Sequence, residues 1–218
     1  MGLPTGVVMR ATNTAIKPYV SKKSKGAPSG HRWVGVSWVS IHRTSVCTDF
    51  EQCGPGRPGY DVQMKRVSLA SIDDTLAFGA ALGRTAMSGT VVALHGDLGA
   101  GKTTFSQGVG AGLGIAASIV SPTFILMAEY DGGRLPLLHA DAYRLEAHEV
   151  GAIGLDEALD TWPGVALVEW ASRIDVHLPV QHLMVHLRHA PSGREADVSA
   201  MGPSHGAVLE QWMAAYER

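Results

Sequence analysis

A short glycine-rich segment restricts the folds that this chain of 218 residues can adopt. Residues 91–105 read VVALHGDLGAGKTTF, and GDLGAGKT within them fits the pattern G-x-x-x-x-G-K-[ST]. That pattern is typical of a loop that cradles phosphate groups between a buried strand and a helix. The apolar run before the loop predicts the strand, and the residues after it predict the helix.

Each part of this loop has a physical purpose. Glycines at 96, 99 and 101 allow backbone angles that turn successive N–H groups onto phosphate oxygens, and a helix that opens there adds its positive end. Lys102 would reach the β- and γ-phosphates, and the Thr103 hydroxyl would coordinate Mg²⁺. Thr104 either contacts the α-phosphate or continues the helix. The predicted nucleotide-binding residues of the loop are Gly96, Asp97, Leu98, Gly99, Ala100, Gly101, Lys102, Thr103 and Thr104.

Apolar and helical patterns alternate from residue 64 onward, which predicts an α/β protein. We expect a P-loop NTPase-like fold of three layers, with a mostly parallel central sheet flanked by helices. Ser71 is predicted to cap the first helix, with Asp73 and Asp74 in its first turn. The predicted strands are residues 91–95, 124–130, 135–140, 164–169, 181–188 and 196–200, and the predicted helices are residues 71–87, 101–113, 146–160 and 206–217.

Two acidic residues stand where a phosphate-binding loop needs a group to organise a metal ion. Glu169 ends the apolar run GVALVE, and Asp141 ends another run in PLLHAD. Their positions leave open which acid binds the metal directly and which orients water. The only asparagine is Asn13, so an Asn-Lys-x-Asp guanine-reading motif is excluded and adenine, or a weakly selective base site, is favoured.

The glycines of GVGAGLG at residues 108–114 follow a helix start rather than a strand, so they do not form a dinucleotide-binding fingerprint. A glycine inside a helix costs about 1 kcal/mol relative to alanine. We therefore predict that these glycines serve close packing or an early end of the helix.

Charge divides the chain into two unequal parts. Residues 1–63 carry eight Lys or Arg and three acids, a net charge of +5, whereas residues 64–218 carry ten and seventeen, a net charge of −7. The acidic part argues against a large nucleic-acid footprint of its own. No run approaches the roughly 18 apolar residues of a membrane helix, and Cys47 and Cys53 have no common zinc-site spacing. These features favour a protein of the cytoplasm with free thiols.

Residues 1–63 predict little folded structure. Lys22, Lys23 and Lys25 lie among Ser, Gly and Pro, GPGRPG at residues 54–59 has the composition of a linker, and RWVGVSWVSI alternates like a lone strand. Met64 resembles a natural start, so this extension is interpreted as a disordered tail or an over-long start. A transit peptide and a functional arm remain alternatives. We expect residues 64–218 to form the folded domain.

Five motifs occur in an order and spacing that resemble one family. They are GDLGAGKTTF, SPTF at residues 121–124, HADAYRL at 139–145, GLDE at 154–157 and VEW at 168–170. Together they resemble the TsaE family, the P-loop ATPase of bacterial tRNA threonylcarbamoyladenosine biosynthesis. The resemblance covers about residues 64–218 and leaves the extension outside the family pattern.

The resemblance implies a role for several residues. Lys102 and Thr103 would bind phosphate and magnesium, and Thr123 looks like the switch threonine that senses the γ-phosphate and the metal. Asp141 looks like the family's acid near the γ-phosphate, which makes it a candidate for orienting the attacking water and for metal binding. Glu169 looks like the Walker B metal acid, and Trp170 after it would lie near the nucleotide. His139 and Tyr143 match the motif but read as structural, and Arg144 is a weak candidate for a phosphate contact or for a partner of GLDE.

The family also implies ATP, Mg²⁺ and protein partners. Its members act with a TsaD-like protein, which transfers the carbamoyl group to tRNA, and with a TsaB-like protein, so that tRNA is met only through the complex. Two other functions fit the same loop: a small-molecule kinase, and a nucleotide-dependent scaffold without turnover. A kinase usually has a lid bearing arginines, and no arginine cluster follows the loop.

Overall fold

A computed structural model describes residues 64–217 and the backbone of residues 8–12 and 15–19. Its strands are β1 (Val8–Thr12), β2 (Ala15–Tyr19), β3 (Met64–Leu69), β4 (Thr90–His95), β5 (Met127–Tyr130), β6 (Leu137–Asp141), β7 (Val165–Glu169), β8 (His182–Ala190) and β9 (Gly193–Met201). Its helices are α1 (Ile72–Thr85), α2 (Lys102–Leu113), α3 (Leu155–Thr161) and α4 (Pro203–Tyr216). The expected strand in RWVGVSWVSI lies outside the described residues.

All described strands belong to one sheet, in the order β2-β1-β5-β6-β7-β4-β8-β9-β3. Within residues 64–217 the pairs β6–β7, β7–β4 and β4–β8 are parallel, and the pairs β5–β6, β8–β9 and β9–β3 are antiparallel. The prediction of a mostly parallel sheet was therefore wrong, and the sheet is mixed. Only two residues separate β8 from β9, and so short a connection joins antiparallel strands only.

Two hydrophobic clusters cover the two faces of the sheet, as the expected three layers require. On β4, Val92 and Leu94 belong to the cluster that contains α1, α2 and α4, whereas Val91 and Ala93 belong to the cluster that contains α3. This alternation follows from the period of two along a strand. We call the first cluster the three-helix face and the second the α3 face.

Close contact between α1 and α2 confirms the prediction for the glycines after the loop. A Cβ atom at Gly108 would lie 2.3 Å from the carbonyl oxygen of Leu76, and one at Gly112 would lie 2.2 Å from that of Ala80. Gly114 ends α2 in the left-handed conformation. The predicted cap of α1 is confirmed as well, because the Ser71 side chain accepts from the Asp74 N–H at 3.0 Å.

Two predicted elements differ from the structure, and three strands were not predicted. The helix expected at 146–160 is only one 3₁₀ turn (Ala147–Glu149) and the short α3, because Gly154 takes the left-handed conformation at the start of α3. The strand expected at 124–130 begins at Met127, since Leu126 has a positive φ and its N–H bonds the Pro122 carbonyl. Strands β1, β2 and β3 were not predicted. Across the described ranges, no helix has both the length and the apolar character needed to span a bilayer.

Candidate functional site

The glycine-rich loop joins β4 to α2 at the carboxyl end of the strand. Gly96, Gly99 and Gly101 all have positive φ angles, of 132°, 75° and 107°. At position 96 there is also no space for a side chain, because a Cβ there would lie 2.2 Å from the carbonyl oxygen of Leu187. No side chain caps α2, so the first-turn N–H groups and the helix dipole face the loop.

Lys102 is nearly buried at the start of α2, with 5% of its surface exposed. Its Nζ donates to the carbonyl oxygens of Gly96 at 2.6 Å and Asp97 at 2.8 Å, and lies 3.8 Å from the centre of the Trp170 ring. Burial lowers the pKa of Lys102 below its ordinary value, and the carboxylates of Glu169, Asp141 and Asp97 oppose that shift. The loop and the indole thus hold this ammonium beside the two strand-end acids.

The two predicted acids lie side by side at the same edge of the sheet. Asp141 ends β6, Glu169 ends β7, and the two residues pair in register. Leu94 of β4 is the other register neighbour of Glu169, so the acid stands next to the strand that leads into the loop. Each of the two acids exposes 2% of its surface, and both are engaged by hydrogen-bond donors.

Glu169 is bound on both carboxylate oxygens. Thr103 Oγ1 donates to Oε2 at 3.1 Å, and His139 Nε2 lies 2.9 Å from Oε1. Thr103 and Glu169 therefore present two hard oxygen atoms close together, the type of ligand that Mg²⁺ prefers. Within residues 64–217, no three side chains of His, Cys, Asp or Glu gather in a way that would hold a metal ion by themselves. This is compatible with Mg²⁺, which usually takes one or two carboxylates together with phosphate oxygens and water.

Asp141 binds the segment that carries Thr123. Its Oδ2 accepts from Thr123 Oγ1 at 2.5 Å and from Ser121 Oγ at 2.8 Å, and its Oδ1 accepts from the Tyr143 N–H at 2.8 Å. The two hydroxyl oxygens are themselves 2.9 Å apart. The carboxylate thus accepts from three donors, and the two hydroxyls hold Thr123 against the end of β6.

Trp170 follows Glu169 with a φ of 58°, in the left-handed region. A bulky residue seldom adopts this conformation, which costs on the order of 1–3 kcal/mol and persists where the surroundings enforce it. The indole contacts both the Lys102 ammonium and Tyr143, whose ring centre is 4.9 Å from that of Trp170. The residue whose backbone is strained is thus the one whose indole contacts the Lys102 ammonium.

The structure brings six of the predicted site residues into one connected group: Lys102, Thr103, Thr123, Asp141, Glu169 and Trp170. Other predicted residues lie at its margin. Leu98 and Asp97 are exposed, Ala100 is buried, and Thr104 is half-buried. The Arg144 guanidinium stands 4.5 Å from the centre of the Phe124 ring.

Sequence reasoning missed three supporting contacts. Ser121 bonds Asp141, His139 bonds Glu169, and the Arg194 guanidinium donates to the Gly99 carbonyl oxygen at 3.0 Å. The first two residues lie in the SPTF and HADAYRL motifs, which was the available signal. Nothing in the sequence near Arg194 indicated that β9 reaches the loop.

The fold and the site define an α/β protein with a mixed sheet, a glycine-rich loop between a strand and a helix, a buried lysine and two buried acids at the ends of neighbouring strands. The family model described as "Threonylcarbamoyl adenosine biosynthesis protein TsaE" matches residues 69–196. The chain therefore belongs to the TsaE family.

Named relatives and a solved structure agree with this assignment. The "tRNA threonylcarbamoyladenosine biosynthesis protein TsaE" of Nostoc sp. is 44% identical over 141 residues, which are 63% of this chain and 86% of the relative. The protein of the same name from Bacillus subtilis is 41% identical over 151 residues, or 68% of this chain and 94% of the relative. The crystal structure of Bacillus subtilis YdiB is 35% identical, with a TM-score of 0.60, and covers 71% of this chain and 95% of that chain.

Proposed function

We propose that this protein binds ATP with Mg²⁺ and hydrolyses it in support of threonylcarbamoyladenosine formation at adenosine 37 of tRNA. It would act on a complex of TsaD-like and TsaB-like proteins and meet tRNA only through them. One observation carries the proposal: Lys102 and Thr103 of the loop stand in direct contact with Trp170 and Glu169, next to Asp141. Family membership supplies the modification pathway.

The residues at the loop fit a magnesium nucleotide. The left-handed glycines and the uncapped start of α2 offer N–H groups to phosphate oxygens, and Lys102 offers a cation. Thr103 and Glu169 would hold the metal, because their oxygens already meet at 3.1 Å. When bound, the metal would supply positive charge that neutralises the negative charge developing on the phosphate oxygens.

Asp141 and Thr123 would act at the γ-phosphate end. Asp141 Oδ2 is held by two hydroxyl groups of the 121–123 segment, so a shift of that segment would free an oxygen that can orient an attacking water. The direct contact of Glu169 with Thr103 favours Glu169 as the metal-binding acid. Asp141, which the hydroxyls hold instead, is favoured as the residue that orients water.

Partner dependence follows from the cations near the site. Transfer of a phosphoryl group needs positive charge on its oxygens, and an arginine supplied by a partner can raise the rate by about 10³–10⁵. The Arg144 guanidinium lies over Phe124, and the Arg194 guanidinium, which contacts the loop, donates to the carbonyl oxygens of Gly193 and Gly99. Lys102 is thus the cation assigned to the site, and a partner would add a second cation or exclude water from the site.

The test is the rate of phosphate release at fixed Mg²⁺, with and without purified TsaD-like and TsaB-like proteins. We expect slow release from the protein alone and an increase of at least about 10³-fold with the partners. Equal rates would contradict the partner-completed site, and ATP binding without release in either case would indicate a scaffold. A phosphorylated metabolite in place of free phosphate would indicate a kinase.

A further inference from the structure

His139 sits within β6, two residues before Asp141, and is completely buried. Its register neighbours, Ala128 on β5 and Leu167 on β7, are apolar. Its Nε2 lies 2.9 Å from Glu169 Oε1. A histidine inside an apolar sheet therefore has a strand-end carboxylate as its polar partner.

The protonation of this contact follows from the chemistry of the two groups. An ionised carboxylate only accepts hydrogen bonds, so Nε2 is the nitrogen that carries the hydrogen. The other nitrogen, Nδ1, is buried and has no hydrogen-bond partner within the described part of the chain. Leaving a buried polar atom unpaired is unfavourable, and an apolar side chain would fill the same space without this cost. The hydrogen bond from Nε2 to Glu169 therefore explains why a histidine occupies this position.

The bond to Nε2 fixes how the carboxylate is turned. A carboxylate is planar and rigid, so holding Oε1 on His139 determines where Oε2 points. Oε2 is the oxygen that accepts from Thr103 Oγ1. Asp141 is held differently, by two hydroxyls and one backbone N–H that all come from loop segments. Glu169 thus takes its orientation from inside the sheet.

We propose that His139 is a positioning residue for magnesium: its Nε2–H turns Glu169 so that Oε2 and the Thr103 hydroxyl face one metal ion together. This inference rests on the proposed function, because the metal is the one that would accompany ATP. Residues that hydrogen-bond a metal-binding side chain typically change metal affinity by 10–100-fold when they are substituted.

The experiment compares ATP affinity in excess Mg²⁺ and in EDTA by calorimetry, for the wild type and three variants. The ratio of the two dissociation constants is the magnesium-dependent gain. We expect this gain to fall by about 10-fold or more in His139→Leu, which lacks a donor. His139→Gln, whose amide nitrogen reaches the position of Nε2, should keep the gain within about threefold of the wild type. His139→Asn, whose amide is one carbon shorter, should behave like His139→Leu, and binding in EDTA should stay unchanged in all three.

The outcomes separate the two proposals. A wild type that binds no ATP overturns the proposed function and this role with it. A wild type that gains affinity from Mg²⁺, with an unchanged gain in the leucine and asparagine variants, overturns the role of His139 alone. Equal losses in all three variants would indicate packing instead and would also overturn it. Thermal unfolding shows which variants are folded. If the leucine variant is unfolded, the comparison of the glutamine and asparagine variants tests the role of His139.

Discussion

The two faces of the sheet are built in different ways. On the three-helix face, α1 and α2 approach so closely that a Cβ at Gly79 would lie 2.3 Å from the Phe105 carbonyl oxygen. On the α3 face, α3 has only seven residues and the chain otherwise forms single 3₁₀ turns, such as Ala171–Arg173. Trp170, which packs against this second face, has a positive φ.

The two faces therefore contribute differently to the site: one holds the glycine-rich loop in place, and the other carries the segments that can change conformation. The regular helices anchor the start of α2, and with it the glycine-rich loop, in tight packing that leaves little room for movement. The segments that reach Asp141 are short and irregular, and loops of this kind can change conformation at lower cost than packed helices. We therefore expect substitutions on the three-helix face to change stability, and substitutions at the strand ends to change binding and turnover.

The largest effect is expected at Asp141. Asp141→Asn keeps the size of the side chain and its contact with the Tyr143 N–H, but removes the charge that would orient water. A positioned acid or base contributes about 10²–10⁴-fold, so turnover in the presence of partners should fall at least about 100-fold while ATP affinity stays nearly unchanged. Turnover at the wild-type rate would disprove this role. Glu169→Gln is the matched variant and should reduce the magnesium-dependent gain in affinity instead.

Lys102→Ala should weaken ATP binding by one to two orders of magnitude. The substitution removes a charge-assisted contact worth about 1.5–3 kcal/mol. Because the Lys102 Nζ lies 3.8 Å from the Trp170 ring centre, tryptophan fluorescence is a suitable measurement, with Trp170→Phe to separate it from the other four tryptophans. Unchanged affinity would contradict the assignment of the loop.

Gly108→Ala should destabilise the protein by about 1–3 kcal/mol, because overpacking forces backbone shifts. The new Cβ would lie 2.3 Å from the Leu76 carbonyl oxygen. Gly206→Ala in α4 is the control, since a Cβ there meets nothing within 4 Å, and it should gain up to about 1 kcal/mol. Urea unfolding of both variants gives the free energies, and equal values would show that the helices do not meet as described.

The smallest effect concerns acid stability. His205 Nε2 accepts from the Val91 N–H at 3.2 Å, and burial lowers the pKa of His205 to about 4. Above pH 6.5 the residue is neutral in both states, whereas between pH 6.5 and 4 the unfolded chain binds a proton that the folded chain does not. The folded state therefore loses stability as the pH falls through this window, by about 1 kcal/mol between pH 7 and 5.5.

The measurement for His205 is urea unfolding as a function of pH. His205→Gln keeps an acceptor but does not titrate, so the loss between pH 7 and 5.5 should shrink by the contribution of this histidine. His148→Gln, at an exposed position, should leave the slope as it is in the wild type. If both variants kept the wild-type slope, another group would be responsible for it.

Local signals in the sequence were sufficient for some elements and not for others. The loop between β4 and α2 and the Ser71 cap were predicted because each depends on neighbours in sequence. The close packing of the α2 glycines was predicted from the cost of glycine inside a helix, although the atoms that they meet belong to α1. The helix at 146–160 was overestimated because the left-handed turn at Gly154 ends one segment and begins another. The strand directions depend on the connections between strands, and the short connections between β5 and β6 and between β8 and β9 allow only antiparallel pairs.

The site shows the same limit. The strand-end positions of Asp141 and Glu169 could be read from apolar runs, but their adjacency depends on the register of β6 against β7. The bond between His139 and Glu169 depends on that register too, which is why a buried histidine was interpreted as structural. The contact from Arg194 to Gly99 requires β9 to turn back beside β8, and no local pattern encodes it.

The pairing of β3 with β9 has a consequence for the order of folding. The Arg66 Nε donates to Asp197 Oδ1 at 2.7 Å across a sequence separation of 131 residues. During synthesis on the ribosome, β3 therefore cannot pair with β9 until most of the chain has been made. Contacts between residues so distant in sequence also slow folding. We expect the β3–β9 ladder to form late in refolding, so that its amide hydrogens are protected from exchange after those of β4 and α2. During synthesis, β3 is an open strand edge of the kind that chaperones shield from aggregation.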